Sequence, residues 1–282
     1  MPGTLFVVAT PIGNLEDISA RALRVLRGAS IIAAEDTRRT AHLLARYAIT
    51  TPTTSLHEHN EAQKSISLVA RLERGENVAL VSDAGTPTIS DPGHKLIRAA
   101  IDAGIRVEPI PGPNAAIAAL AVSGLPCDSF AFLGFPPTRA KARSEWFERA
   151  KAIGGTVVFY EAPHRIRETL SDLLRVVGDC QVVVGRELTK AHEELVRGPI
   201  STIISGLGST LGEFTVVANI GHTTENVQLS QPGGGELRSQ LGEMTNNGKL
   251  SRRDAVAVLA KRHGIRPNRV KQLIESASKC VK

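Results

Sequence analysis

Short apolar, β-branched runs recur along residues 4–220 at intervals that leave room for a helix between them. In the first half they are Leu5–Ala9, Ile31–Ala34, Val78–Ser82 and Val107–Ile110. An apolar run bounded by turn residues predicts a strand buried on both faces. Between Ser65 and Leu72 the pattern changes: Ile66, Val69 and Leu72 are spaced by three with Leu68 alongside, which predicts a helix laying one apolar stripe on a sheet. This alternation predicts an α/β domain with a mostly parallel sheet, residues 1–123. Gly124-Leu125-Pro126 punctuates the pattern. A second series then begins with Phe130–Leu133, Thr156–Tyr160, Val182–Val184 and Phe214–Ala218, and predicts a second α/β domain over residues 124–225.

Beyond residue 225 the pattern is different in kind. Gln231-Pro232-Gly233-Gly234-Gly235 has linker composition, so residues 226–235 read as a flexible connection. Residues 236–282 are patterned as helices. Leu237, Leu241 and Met244 share one face, and Ser251 with Asp254 makes an N-terminal capping signal for a helix with the stripe Ala255, Val258 and Leu259. Gly264 suits its C-terminal cap. Pro267 can open a third helix with Val270, Leu273 and Ile274 inside and Arg266, Arg269 and Lys271 on or near its exposed side. Three short helices with a tight glycine turn form a helix-turn-helix-like appendage.

Charge sharpens this division. Residues 1–225 carry 23 Lys and Arg against 24 Asp and Glu, whereas residues 226–282 carry 11 against 4, so the net charge of +6 arises wholly in the tail. A basic appendage on a neutral body suits a polyanion, whose phosphates Lys and Arg would position. With 42% hydrophobic residues the 282-residue chain can bury a real core, and no apolar run approaches the roughly 18 residues of a membrane span. A soluble cytoplasmic protein with no membrane partner is expected. Cys127, Cys180 and Cys280 make no CxxC pair, and His57-Glu58-His59 and His192-Glu193-Glu194 lack a complementary ligand, so no metal is expected.

The chemistry is expected in three loops that follow strands: Thr10-Pro11-Ile12-Gly13-Asn14, Ser82 to Gly93, and Pro111-Gly112-Pro113-Asn114. Ligands of open α/β sheets bind where such loops converge at the carboxyl ends of strands. Neither a P-loop nor a G-x-G-x-x-G fingerprint is present; Gly206 to Gly212 has the wrong spacing. Polar clusters at Glu35-Asp36-Thr37-Arg38, His57 to Asn60, Tyr160 to Arg165 and Arg186 to Lys190 also follow predicted strands.

Taken together, A-T-P-I-G-N-L-x-D-I at 9–18, E-D-T-R at 35–38, S-L-H-E-H-N-E at 55–61 and S-D-A-G-T-P-x-I-S-D-P-G at 82–93 resemble one family. P-G-P-N-A at 111–115, S-G-L-P at 123–126, Y-E-A-P-H-R at 160–165 and R-E-L-T-K at 186–190 continue the match. The family is ribosomal RNA small subunit methyltransferase I, which is similar in fold to the tetrapyrrole methylases. The resemblance implies two α/β domains that bind S-adenosyl-L-methionine between them, and 2'-O-methylation of a decoding-region cytidine in small-subunit ribosomal RNA, free or in the assembled subunit, by a homodimer. It places Pro11, Ser82, Asp83, Ala84, Gly85, Ile89, Ser90, Asn114, Ala115 and Ala116 along the cofactor cleft from the first domain. From the second it adds Glu161, Glu187, Leu188 and Gly212. Much of that contact would be through backbone, which small residues leave accessible.

A ribose hydroxyl attacking a sulfonium methyl must lose its proton. Glu35, Asp36 or Glu58 are candidate bases, and Lys190 is one only if burial lowers its pKa. Arg38, Arg39, His164 and Arg165 suit phosphate or ribose contacts as well as they suit salt bridges. The rival activity is methylation of a tetrapyrrole. Against it, the first loop reads A-T-P-I-G-N instead of G-x-G-P-G-D, and a basic helical tail has no evident use with a porphyrinoid.

Overall fold

Every apolar run named above forms a strand, and two polar segments add one more strand to each sheet. The computed structural model describes residues 1–208, 210–221, 234–246, 251–262, 267–268, 270–272 and 274. Residues Met1–His222 form one compact unit and Thr223–Lys282 another.

The first sheet comprises β1 (Thr4–Val8), β2 (Ile31–Ala34), β3 (Thr53–Ser55), β4 (Val78–Val81) and β5 (Arg106–Ile110), in the order β3-β2-β4-β1-β5. All pairings are parallel. Its helices are α1 (Ala20–Gly28), α2 (Thr37–Arg46), α3 (Glu61–Glu73) and α4 (His94–Asp102). Because side chains alternate along a strand, Ile32, Ala34, Ala79 and Val81 pack with Leu26 and Leu43 of α1 and α2. Ile31, Ala33, Val78 and Leu80 face the other way, onto Leu68 and Leu72 of α3 and Leu96 of α4. The chain leaves β1 toward β2 and leaves β4 toward β5, so the adjacent ends of β1 and β4 are a topological switch point. The two connections leave on opposite faces of the sheet, and their loops bound a crevice.

The stripe predicted on α3 is displaced by one residue. Ser65, Leu68 and Leu72 are buried, Val69 packs at the edge, and Ile66 is 74% exposed. The cause is the helical phase: Leu68 and Leu72, four apart, set the buried face, and Ser65 extends it while its hydroxyl donates to the Glu61 carbonyl at 2.7 Å.

After α5 (Ala115–Ser123), which ends at Gly124 in the left-handed region, the second sheet comprises β6 (Phe130–Phe132), β7 (Thr156–Glu161), β8 (Gln181–Arg186), β9 (Glu194–Pro199) and β10 (Phe214–Asn219). The order is β6-β7-β10-β8-β9, parallel between β6 and β7 and antiparallel elsewhere. Helices α6 (Ala140–Ile153), α7 (Ile166–Val177) and α8 (Ile200–Gly206) cover one face through Phe147, Leu170, Leu173 and Ile203. The other face is covered by α5, whose Ala116, Ala119 and Leu120 meet Val158, Val183 and Val217. The same cluster takes in Ile12 from the loop after β1 and Leu188 from the loop after β8. The small side chains of α5 thus let it lie close on the second sheet, with the loop after β1 joining the same core.

In the separate unit, α9 (Gly234–Asn246) and α10 (Arg252–Arg262) bury Leu237, Leu241, Ala255, Val256 and Leu259 together with Val270 and Ile274 of a further helical stretch. Val258, predicted inside, is 40% exposed and Val256 is buried in its place. Ser251 caps α10, accepting from the Asp254 N–H at 3.2 Å. Lys271 is helical and exposed; Arg266 and Arg269 lie outside the described residues.

Candidate functional site

The loop after β1 is fixed to the loop after β4 by a two-bond bridge, Thr10 N–H to the Gly85 carbonyl at 2.9 Å and Gly85 N–H to the Thr10 carbonyl at 3.0 Å. Gly85 has φ +81°, and a Cβ there would stand 3.4 Å from Ile12 Cγ2, so glycine is what the turn requires. Thr88 (φ 73°) and Ser90 (φ 67°) sit in the left-handed region without being glycine, a strain that concentrates in binding loops. The loop is held from outside. Thr86 Oγ1 donates to the Pro113 carbonyl at 3.2 Å, while Glu61 Oε1 accepts from the N–H groups of Gly93 and Lys95 at 2.9 and 2.7 Å. Asn114 caps α5, its Oδ1 accepting from the Ile117 N–H at 3.1 Å.

These loops enclose a cavity of about 400 Å³ at the carboxyl ends of β1, β4, β7 and β8. Its first-sheet wall is Ile12, Glu35, Arg39, Asp83, Ala84, Gly85, Thr86, Ile89, Ser90, Asp91, Asn114 and Ala115. Its second-sheet wall is Phe135, Tyr160, Glu161, Ala162, Pro163, Leu188, Glu213, Phe214 and Thr215. The strand β10 contributes its start because it runs antiparallel to β7 and β8. Small residues alternating with a few aliphatic ones leave backbone groups open to a nucleoside-sized ligand.

Ten of the fourteen residues expected along the cofactor cleft thus either line the cavity, as Asp83, Ala84, Gly85, Ile89, Ser90, Asn114, Ala115, Glu161 and Leu188 do, or touch its wall, as Ala116 does through an N–H 3.3 Å from the Tyr160 hydroxyl. Pro11 and Ser82 are buried and outside the lining. Glu187, outside the lining and partly exposed, is held in a clamp. It has φ 51°, it accepts from the Glu213 N–H and Lys190 Nζ, both at 2.9 Å, and these bonds hold its carboxyl below the usual range. Gly212 (φ +99°) is packed against the Glu187 side chain. Glu161 is buried, and its carboxylate is fully engaged with Arg165 Nε at 2.8 Å, the Ala162 N–H and Thr169 Oγ1.

Among the expected bases, Glu35 alone lines the cavity. Burial raises its pKa, opposed in part by the Asp83 N–H donated to it. Asp36 is the N-cap of α2, and its bonds with Arg38 depress its pKa far below the carboxylate range. Glu58 is exposed and outside the cavity lining. Around Lys190, burial works against the charge, but the Glu187 and Glu213 carboxylates outweigh it and raise the pKa, the opposite of what a lysine base needs. Asp91 was not anticipated, although it stands within the S-D-P-G end of a quoted motif. Burial, then repulsion from Glu35, pushes its pKa up to about 7, with Asp83 adding to the repulsion and a hydrogen bond from Ser82 opposing it.

Arg39 reaches the cavity and pairs with Asp83 at 3.3 Å. Arg38 is 89% exposed at its side chain and His164 is exposed, whereas Arg165 is nearly buried against Glu161. Tyr160, from the polar cluster that follows β7, lines the cavity, whereas Phe135 and Phe214 escaped the sequence reading as site residues, because an aromatic in or just beyond an apolar run is indistinguishable from core.

Residues 4–204 match the family described as tetrapyrrole (corrin/porphyrin) methylases. Ribosomal RNA small subunit methyltransferase I of Escherichia coli O157:H7 is 41% identical over 271 residues, which is 94% of this chain and 92% of that protein. The protein of the same name from Halalkalibacterium halodurans is 48% identical over 76% of this chain and 75% of its own. The chain belongs to the ribosomal RNA small subunit methyltransferase I family. It is a methyltransferase. The fold agrees: uroporphyrin-III C-methyltransferase from Thermus thermophilus, solved with S-adenosylhomocysteine, superposes with a TM-score of 0.55 at 18% identity over 77% of this chain and 98% of its own. Diphthine synthase gives a TM-score of 0.59 at 17% identity, over 77% and 90%.

One close approach across this site carries a test. A Cβ on Gly13 would fall 2.5 Å from Lys190 Cγ and 2.8 Å from the Leu188 carbonyl oxygen, in a place where the Asn14 N–H already donates to Thr189 Oγ1 at 3.0 Å. Gly13→Ala therefore forces the β1 and β8 loops apart, at a cost of roughly 1–3 kcal/mol. Thermal unfolding and calorimetric titration with S-adenosylhomocysteine are expected to show a lower Tm and weaker binding; unchanged values for both would mean the loops yield freely.

Proposed function

We propose that this protein transfers the methyl group of S-adenosylmethionine to the ribose 2'-hydroxyl of a cytidine in the decoding region of small-subunit ribosomal RNA, acting in the cytoplasm as a homodimer. What carries the reading is the identity of 40% and more with proteins of that name along nearly the whole chain, joined to a cleft whose walls suit a nucleoside. When bound, the cofactor supplies a sulfonium methyl that is already strongly electrophilic. The chain's part is to hold, orient and deprotonate. The backbone around Ala84, Gly85, Ala115 and Ala162 and the side chains of Ile12, Ile89 and Leu188 would grip the adenosyl portion. Positioning alone can contribute about 7–11 kcal/mol to such a displacement.

Asp91 takes the hydroxyl proton. It lines the cavity, and a base titrating near the working pH combines availability with strength. Glu35 and Asp83, by contrast, are tied to the Asp83 N–H, the Asp36 N–H and Arg39. Arg38, Arg39, His164 and the basic tail with Lys271 would contact phosphates.

The test incubates the protein with methyl-labelled cofactor and unmodified small ribosomal subunits, then digests the RNA to nucleosides. Label in 2'-O-methylcytidine is the expected result. Cofactor binding without transfer to subunits or free RNA, together with transfer to a porphyrinoid, would replace this reading by tetrapyrrole methylation.

A further inference from the structure

Phe135 lies at the wall of the cavity, yet its residue surface is 52% exposed. Its ring is tilted against Tyr160 at 5.4 Å between centroids, and Tyr160 stands edge-on to Phe132 at 4.9 Å. An aromatic ring held open to water beside a cleft gains nothing for the fold from its outer face.

The backbone that carries it is firmly anchored. Gly134, at φ +68°, accepts from the Tyr160 N–H at 2.9 Å. Pro136 is buried, and its carbonyl accepts from Arg165 Nη2 at 3.2 Å. The Thr138 carbonyl accepts from Nη1 of Arg143, a fully buried arginine, at 3.0 Å. Two arginines withdrawn from solvent thus hold a surface segment in one conformation. Next come Arg139 and Lys141, both exposed and, among the described residues, without an ion pair. A rigid aromatic platform followed within a few residues by free cations has the chemistry of a nucleotide contact: base faces stack on aromatic rings, and cations hold the flanking phosphates.

We propose that residues 135–141 form the acceptor clamp, in which the base of the nucleotide being methylated stacks on Phe135 and adjoining phosphates lie on Arg139 and Lys141. The inference rests on the RNA reading above. It follows from geometry: a ribose that enters the cavity carries its base to the rim, where the Phe135 ring is open.

The unaltered protein is assayed first with small ribosomal subunits, so failure of the RNA reading shows as absence of transfer before any variant is made. Phe135→Ala is then expected to raise KM for subunits about 5- to 150-fold, the range of one lost base–aromatic stack, with Kd for S-adenosylhomocysteine unchanged. Phe135→Trp retains most of the affinity. Arg139→Ala and Lys141→Ala each reduce the slope of log affinity against log salt by roughly 0.7–0.9. The proposal is overturned if Phe135→Ala weakens S-adenosylhomocysteine as much as subunits, which would place the ring over the cofactor. It is equally overturned if KM for subunits does not change.

Discussion

Asp91→Asn is expected to lower kcat by about 100-fold or more while leaving S-adenosylhomocysteine binding intact, since general-base removal costs roughly 10²–10⁴ in rate. Asn keeps the shape and the Ser82 contact but cannot accept the proton. In the unaltered enzyme kcat should rise tenfold per pH unit up to about 7 and level off above it, because the Asp91 carboxyl must ionise against burial and against Glu35 and Asp83. Other groups around it are Ser82, Arg39 across the pocket on Asp83, the Tyr160 hydroxyl on β7, and Glu61, which caps the start of α4. The same shift acts on stability with a definite sign. A carboxyl whose folded pKa is raised binds its proton more tightly in the native state, so its contribution is fully present below the unfolded value and is lost as pH climbs through about 7. Asp91→Asn should consequently raise Tm at pH 8 and have little effect at pH 4. Retained turnover with an unaltered pH profile would remove Asp91 from the reaction and leave Glu35 as the cavity carboxylate to test.

Arg143→Met is expected to destabilise the protein by about 3–5 kcal/mol in urea denaturation. The Arg143 side chain is fully buried and reaches Asp172 at 2.7 Å and Glu168 at 2.5 Å. Glu168 is 62% exposed and can return to water, but Asp172 is only 10% exposed and would keep just its bond with Arg175, at 2.8 Å. An unpaired carboxylate beside the apolar core of α6 and α7 dominates the loss. Replacing both partners, Arg143→Met with Asp172→Leu, should therefore recover much of the stability, since a buried pair exchanged for apolar groups is often near neutral. It should not restore RNA affinity, because the Thr138 carbonyl still lacks its donor. A single variant as stable as the original would show that Asp172 relaxes into solvent.

The strands that could be read from sequence were those whose burial leaves a long apolar signal, such as β4 and β10, inside on both faces. The two that could not, β3 (Thr-Thr-Ser) and β9 (Glu194–Pro199), are edge strands, where one side meets water and pairing with a neighbour supplies the order. The cavity loops were legible because positive-φ turns and close backbone approaches demand glycine and small residues, as at Gly85. Asp91 was not singled out, because an aspartate in a loop has an ordinary pKa until a fold buries it near other carboxylates. Lys190 and Asp36 read as possible bases for the same reason: sequence shows the functional group but not the partners that fix its charge.

The sequence by itself determined the parallel α/β pattern of the first half, the change of composition at the tail and the ordered motifs that identify the family, all of which depend on local chemistry and spacing. Only the tertiary structure decided that α5, which precedes Gly124, covers the second sheet and that the loops of β1 and β8 interlock through Gly13 and Lys190. It also decided which of the nearby acids is buried and which is paired. Those outcomes depend on contacts between residues far apart in the chain, where the dielectric surroundings and the partner of each charge are set by packing and not by neighbours in sequence.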